Sequence, residues 1–148
     1  LFDHKVTGKE FNDRIEKILE GKNIKPTAMR ILVFRELLSQ SKAVSLYDLE
    51  QKFDKVERTT LFRTLNTFVE NNLIHKIDDG TGAVKYALCE ENCTCHLKDL
   101  HVHFLCTKCE KTFCLKEIPI PSVQLPDNFV FETANFVIKG ICPQCCEK

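Results

Sequence analysis

The chain has 148 residues, of which 43% are apolar and 28% charged, with 21 basic against 21 acidic side chains. This length builds one mid-sized domain or two small ones, and the ordinary apolar content excludes a disordered chain. Zero net charge excludes nucleic-acid binding by bulk positive charge, and no apolar run reaches the roughly 20 residues of a membrane helix.

The first helix is expected over residues 8–20, where Phe11, Ile15, Ile18 and Leu19 recur at helical spacing and Gly21 supplies a stop. Thr27 is placed to cap a second helix through Met29, Ile31, Leu32, Val33, Phe34, Leu37 and Leu38. Ser45 caps a third, with Leu46, Leu49 and Phe53 on one face. A fourth begins near Glu57, turns Leu61, Leu65, Phe68 and Val69 inward, and ends at Asn71–Asn72. Two short apolar runs, 73–77 and 83–88, flank the turn Asp78-Asp79-Gly80-Thr81-Gly82 and read as a β-hairpin. Helices followed by a hairpin make a winged helix-turn-helix, with the fourth helix as recognition helix. Its outer face offers Arg58, Thr59, Thr60, Phe62, Arg63, Thr64 and Asn66, groups suited to phosphates and base edges. Phe62 exposes apolar area unless it meets something: thymine methyls, or the wing and a neighbouring helix.

Residues 89–99 read as a hinge, and 100–148 as a second, small α/β or mostly β unit. In that unit, 111–115 and 129–139 read as strands, while Pro119, Pro121 and Pro126 exclude a long helix between them. The overall class is therefore α+β, with a winged-helix domain at 1–88.

All nine cysteines lie between Cys89 and Cys146. A secreted disulfide scaffold would spread them along the chain. Clustering without a secretion signal points to metal binding in a reducing cytoplasm, although the chain begins at Leu1 and not Met, as a trimmed chain would. Cys106-x-x-Cys109 and Cys142-x-x-Cys145 have the spacing of a four-thiolate structural zinc; disulfides or redox dithiols are the ordinary alternatives. His101 and His103 stand two apart, so a strand turns both to one face while Val102 and Phe104 face a core.

Together these motifs resemble the ferric uptake regulator (Fur) superfamily of metal-dependent repressors. The matching stretches are Lys25-Pro-Thr-Ala-Met-Arg30, Arg58-Thr-Thr-Leu-Phe62-Arg63, H-x-H-x-x-C-x-x-C and the terminal C-x-x-C. The resemblance implies a homodimer, a C-terminal dimerisation domain, and a structural zinc on Cys106, Cys109, Cys142 and Cys145. It also implies a hinge metal that sets the angle between two DNA-binding heads on a double-stranded operator. Phe62 and Arg63 would meet bases, and Lys25 the minor groove; Arg30, Arg58, Thr59 and Thr60 complete the expected DNA-binding set.

Oxygen ligands typical of iron-sensing members are missing. Ser41-Lys42-Ala43-Val44, Ala87 and Val102 stand where a histidine, a glutamate and an aspartate are expected, and Cys114 replaces a further glutamate. Sulfur and imidazole favour zinc over iron(II). The resemblance is thus nearest the zinc-sensing (Zur-like) branch and implies a sensing site of His75, Cys89, His101 and His103. Cys93, Cys95, His96 and Cys114 are surplus donors, open to a third metal site, to substitution within the sensing site, or to a thiol switch.

The function expected is a repressor of zinc or other metal-uptake genes. The alternative is a thiol-, redox- or iron-responsive regulator of the same superfamily. An enzyme is excluded on chemistry. A four-thiolate zinc has no open position for water, and the H-x-E and P-C-x-x-C of nucleobase deaminases are not met.

Overall fold

The computed structural model of the protein describes residues 8–89, 101–131 and 134–147. Helices α1 (Gly8–Gly21), α2 (Ala28–Ser39), α3 (Leu46–Lys52) and α4 (Arg58–Glu70) precede the hairpin of β2 (Ile74–Ile77) and β3 (Lys85–Leu88). Local chemistry sets their starts. Thr27 is extended and its hydroxyl accepts from the Arg30 amide, opening α2. Ser45 and Asp48 form a reciprocal capping box at α3. Asn72, with φ of 54°, reverses the chain after α4.

The apolar faces converge on one core holding Ile15, Leu19, Phe34, Leu61, Leu65 and Phe68, with Phe34 and Phe68 edge to face at 6.0 Å. Ile74 of β2 and Tyr86 of β3 close it from below, so the wing is fixed to the helices. The short strand β1 (Val44–Ser45) adds to the wing in the order β1-β3-β2, all antiparallel. Two residues carry no readable period, which is why β1 was not expected.

The second unit is a three-stranded sheet in the order β5-β4-β6, from β4 (His101–Cys106), β5 (Thr112–Pro119) and β6 (Val137–Gly140). The β4–β5 pair is antiparallel and β4–β6 parallel. Gly140 is required at the β4–β6 crossing: a Cβ there would lie 2.9 Å from the Phe104 ring. A one-turn helix α5 (Pro143–Cys146) ends the described chain.

The expected strand at 129–139 is shorter than its alternation suggested. Among the described residues the strand covers Val137–Gly140, and the Phe136 carbonyl just before it accepts from the His103 amide, while Phe129 and Val130 stand 69% and 87% exposed. The 111–115 strand is longer and runs to Pro119. Thr64 also departs from expectation: it is buried in α4, and its hydroxyl donates to the Thr60 carbonyl at 2.9 Å.

Two candidate metal centres and a candidate DNA interface

The tight turn after β4 and the short helix α5 bring both C-x-x-C hooks together. The sulfurs of Cys106, Cys109, Cys142 and Cys145 all lie within 4.8 Å of one another. Cys109 and Cys142 sulfurs are 3.8 Å apart. A tetrahedral ion with zinc–sulfur bonds of about 2.3 Å sets sulfurs about 3.8 Å apart, so this donor set fits zinc. The Cys142 amide donates to Cys106 Sγ at 3.3 Å. That bond leads the causes holding the Cys106 thiol down to about 6, in the thiolate form a metal needs. Cys145 is driven up to about 12, first by its hydrogen bond with Cys142 and then by burial.

The second centre spans the two units. His75 comes from the wing strand β2, His101 and His103 from β4, and Cys114 from β5. Their ligand atoms lie within 4.8 Å of one another. Register explains this: His103 pairs directly with Cys114, and both histidines of β4 point across the seam despite an irregularity between His101 and Val102. Val102 is buried on the opposite face as expected, and Phe104 is half-buried there. The three imidazole centroids are 4.9–5.6 Å apart. His75 Nε2 faces His103 Nε2 at 3.4 Å and Cys114 Sγ at 3.8 Å.

Burial governs the electrostatics. It pushes His75 down to about 3, with His101, His103 and Lys116 adding to the effect. It pushes His103 down to about 4, with His101 adding and Asp79 opposing. Burial raises the Cys114 thiol to about 11. Neutral imidazoles are the ligating form. The buried Nδ1 of His103 has no hydrogen-bond partner among the described residues, while its Nε2 faces the other donors. Three nitrogens and one sulfur fit zinc.

Of the four residues expected at this site, the structure brings His75, His101 and His103 together and adds Cys114. Cys89 stands on the other side of the His75 ring, its sulfur 3.6 Å from Nδ1. Cys93, Cys95 and His96 lie outside the described residues. The pairing that places Cys114 needs the length of the β4–β5 turn, which no single-residue motif reveals.

Helix α4, expected to be the recognition helix, exposes Arg58, Thr59, Thr60, Phe62 and Arg63, with Phe62 45% exposed. Arg58 forms an ion pair with Glu50 of α3. Arg30 Nη1 donates to the Lys25 carbonyl at 2.8 Å, joining the start of α2 to the segment before it.

A winged helix joined to a small sheet by a histidine–thiol centre, with a four-cysteine cluster beyond it, defines a metal-binding member of the winged-helix class. The sequence model of the ferric uptake regulator family matches residues 21–139. The chain belongs to that family. It is 28% identical over 155 residues to the zinc uptake regulation protein of Escherichia coli (strain K12), across 97% of this chain and 85% of the relative. It is 27% identical over 142 residues to the ferric uptake regulation protein of Bacillus subtilis (strain 168), across 90% of this chain and 93% of the relative. The solved structure of a zinc uptake regulator complexed with zinc and DNA has the same fold, with a TM-score of 0.67 at 22% identity over 97% of each chain.

Proposed function

We propose that this protein is a zinc-responsive transcriptional repressor of metal-uptake genes, binding its operator as a homodimer in the cytoplasm. The observation that carries the reading is the centre of His75, His101, His103 and Cys114, whose donors come from both units of the chain. Such a site is complete only when the units are docked, so occupancy and domain arrangement are linked. Two nearby similarities agree with this: relatives named as zinc and ferric uptake regulators, and a fold shared with a regulator held on DNA.

We assign the sensing ligands as His75, His101, His103 and Cys114. Cys89 orients His75: its sulfur accepts from Nδ1–H, which leaves the Nε2 lone pair aimed at the centre. The bound ion supplies a fixed link between the wing and the C-terminal sheet. Cys106, Cys109, Cys142 and Cys145 hold the structural zinc, which staples a sheet too small to stand on its own core. Phe62 and Arg63 read bases in the major groove, Arg58, Thr59 and Thr60 bind along the backbone, and Lys25 and Arg30 approach from the start of α2. Exposed Val123, Leu125, Val130 and Ile141 supply the apolar face that a second copy covers.

The test pairs metal analysis of anaerobically purified protein with operator binding under a graded chelator. Two zincs per chain, one removable with loss of operator binding, is the expected result. One zinc, with operator binding indifferent to chelator but altered by oxidant, would move the sensing function to thiol chemistry.

A further inference from the structure

Beside the histidine–thiol centre lies a second fastening across the same seam, made without metal. Asp79, in the turn between β2 and β3, is 1% exposed, and Thr112 of β5 is fully buried. Lys85 of β3 sends its ammonium into this pocket. Its three protons have three acceptors: Asp79 Oδ2 at 2.6 Å, Thr112 Oγ1 at 2.9 Å and the Glu110 carbonyl at 2.9 Å. Thr112 passes its own hydroxyl proton to Asp79 Oδ2 at 2.6 Å. The other carboxylate oxygen takes the amide and hydroxyl of Thr81. Every polar atom of the group is therefore satisfied, the condition under which a buried charge pair holds its place.

The group divides between the two units. Asp79, Thr81 and Lys85 belong to the wing; Glu110 and Thr112 belong to the C-terminal sheet. The Ala43 amide adds a further bond across the seam, donating to the Thr112 carbonyl at 2.9 Å. Strand register places this group next to the metal centre. Lys85 pairs with Ile77, two residues on from His75, and Thr112 lies two residues before Cys114 on the same face of β5. Docking would otherwise bury a lysine and an aspartate without acceptors and donors, so the wing seats in one register only.

We propose that Asp79, Lys85 and Thr112 are positioning residues, a metal-independent latch that keeps β2 against β4 and β5 and so sets how tightly the histidine–thiol centre holds its ion. Only docked chains present all four ligands, so apparent metal affinity scales with the docked fraction. With the latch intact, that fraction is high before metal arrives. The proposal rests on the sensing role of the centre for its meaning, while the latch itself is measured without DNA.

The test uses the full chain with its four-cysteine zinc retained. Amide hydrogen exchange at Ala43 in protein stripped of the removable zinc is expected to be protected. Thr112→Val removes one acceptor from Lys85 and one donor from Asp79. It is expected to speed that exchange about ten-fold, the loss of one charge-assisted hydrogen bond, and to weaken zinc binding at the second centre in proportion to the docked fraction lost, at most about ten-fold. Thr112→Ser should restore both, a rescue that a merely packed threonine would not give. Unprotected Ala43 in the stripped wild type overturns the latch, and that measurement needs no variant. Equal exchange at Ala43 in Thr112→Val and wild type overturns it too. Absence of operator binding in every metal state would sink the repressor reading and leave the exchange result standing.

Discussion

Cys114 Sγ lies 3.8 Å from His75 Nε2 while Cys89 Sγ lies 3.6 Å from Nδ1 of the same ring. One imidazole thus stands between two thiols, one just after β3 and one in β5. A ring nitrogen facing a metal and its opposite facing a supporting acceptor is the usual arrangement of a ligating histidine. Losing a supporting partner costs about 10–100-fold in metal affinity. Cys89→Ser is expected within that range, and Cys114→Ser beyond it. Chelator competition for the removable zinc measures both. The reverse order would make Cys89 the ligand and Cys114 the support.

The four-cysteine cluster gives a prediction about folding. Structural zinc in small domains contributes on the order of 10–16 kcal/mol at pH 7. Cys142 is 2% exposed, and its backbone amide, which bonds Cys106 Sγ, is kept by Cys142→Ser, so the variant removes one sulfur and leaves that bond in place. The variant is expected to lose its tightly held zinc and the thermal transition of the β5-β4-β6 sheet, while the helical core keeps its own. A calorimetric scan with zinc analysis decides it; full retention of zinc would remove Cys142 from the site.

Proton release on metal binding follows from the charge states. His75 and His103, pushed down to about 3 and 4, are already neutral at pH 7 and release nothing. Cys114, pushed up to about 11, must lose its proton to ligate. Zinc binding at this centre is therefore expected to release about one proton from Cys114 and to tighten about ten-fold per pH unit above about pH 7.5, where imidazoles are neutral. Calorimetry in buffers of different ionisation enthalpy counts the protons. A count near two would bring Cys89 in as a second thiolate.

Stability without the removable zinc should fall toward acid. Unfolded imidazoles take up protons near pH 6.5, while folded His75 and His103 resist until about pH 3 to 4. The unfolded chain then binds more protons, so stability is lost as pH falls from 6.5 through that window. Asp79 acts in the same direction at lower pH. Burial works against its ionisation, but bonds from Lys85, Thr112 and Thr81 hold it well below the carboxylate range. Its contribution is present above about pH 4 and disappears as it protonates. Melting temperatures at pH 5 and pH 7 check the sign; a higher value at pH 5 would contradict it.

On the DNA side, Arg63 is exposed on α4 with no structural task evident. Arg63→Ala should cost about 1–3 kcal/mol in operator binding and relax base preference at one position, with metal content unchanged. Lys25→Ala, if Lys25 approaches the backbone-lined minor groove, should weaken binding with a shallower salt dependence. Unaltered sequence preference in the Arg63 variant would mean that α4 is not the reading helix.

The N-terminal half was largely legible because its signals are local. Thr27 and Ser45 cap where their side chains suggest, and the apolar spacing of Leu61, Leu65 and Phe68 matches their burial. The structural cluster was legible from spacing alone. What escaped depends on partners distant in the chain. Val130 and Phe136 alternate like strand residues, yet the register with β4 runs only over Val137–Gly140, with the Phe136 carbonyl accepting from the His103 amide at its edge. Cys114 looked surplus until the His103–Cys114 register was known. Asp79 read as an ordinary turn residue, since nothing nearby announces that Lys85 and Thr112 will enclose it.

Cys106, Cys109, Glu110, Thr112 and Cys114 follow one another along nine residues. That stretch carries half the four-cysteine cluster, two contacts of the wing and the thiol of the histidine–thiol centre. Such crowding limits how the protein can diversify. A single inserted or deleted residue between Cys109 and Cys114 would turn the thiol to the opposite face of the sheet, so the length of this stretch is effectively frozen. Exchange of the side chain at 114 disturbs neither the spacing nor the clasp. A lineage built on this plan can retune which ion it answers by swapping sulfur for oxygen at that one place, while the ruler that positions it stays the same.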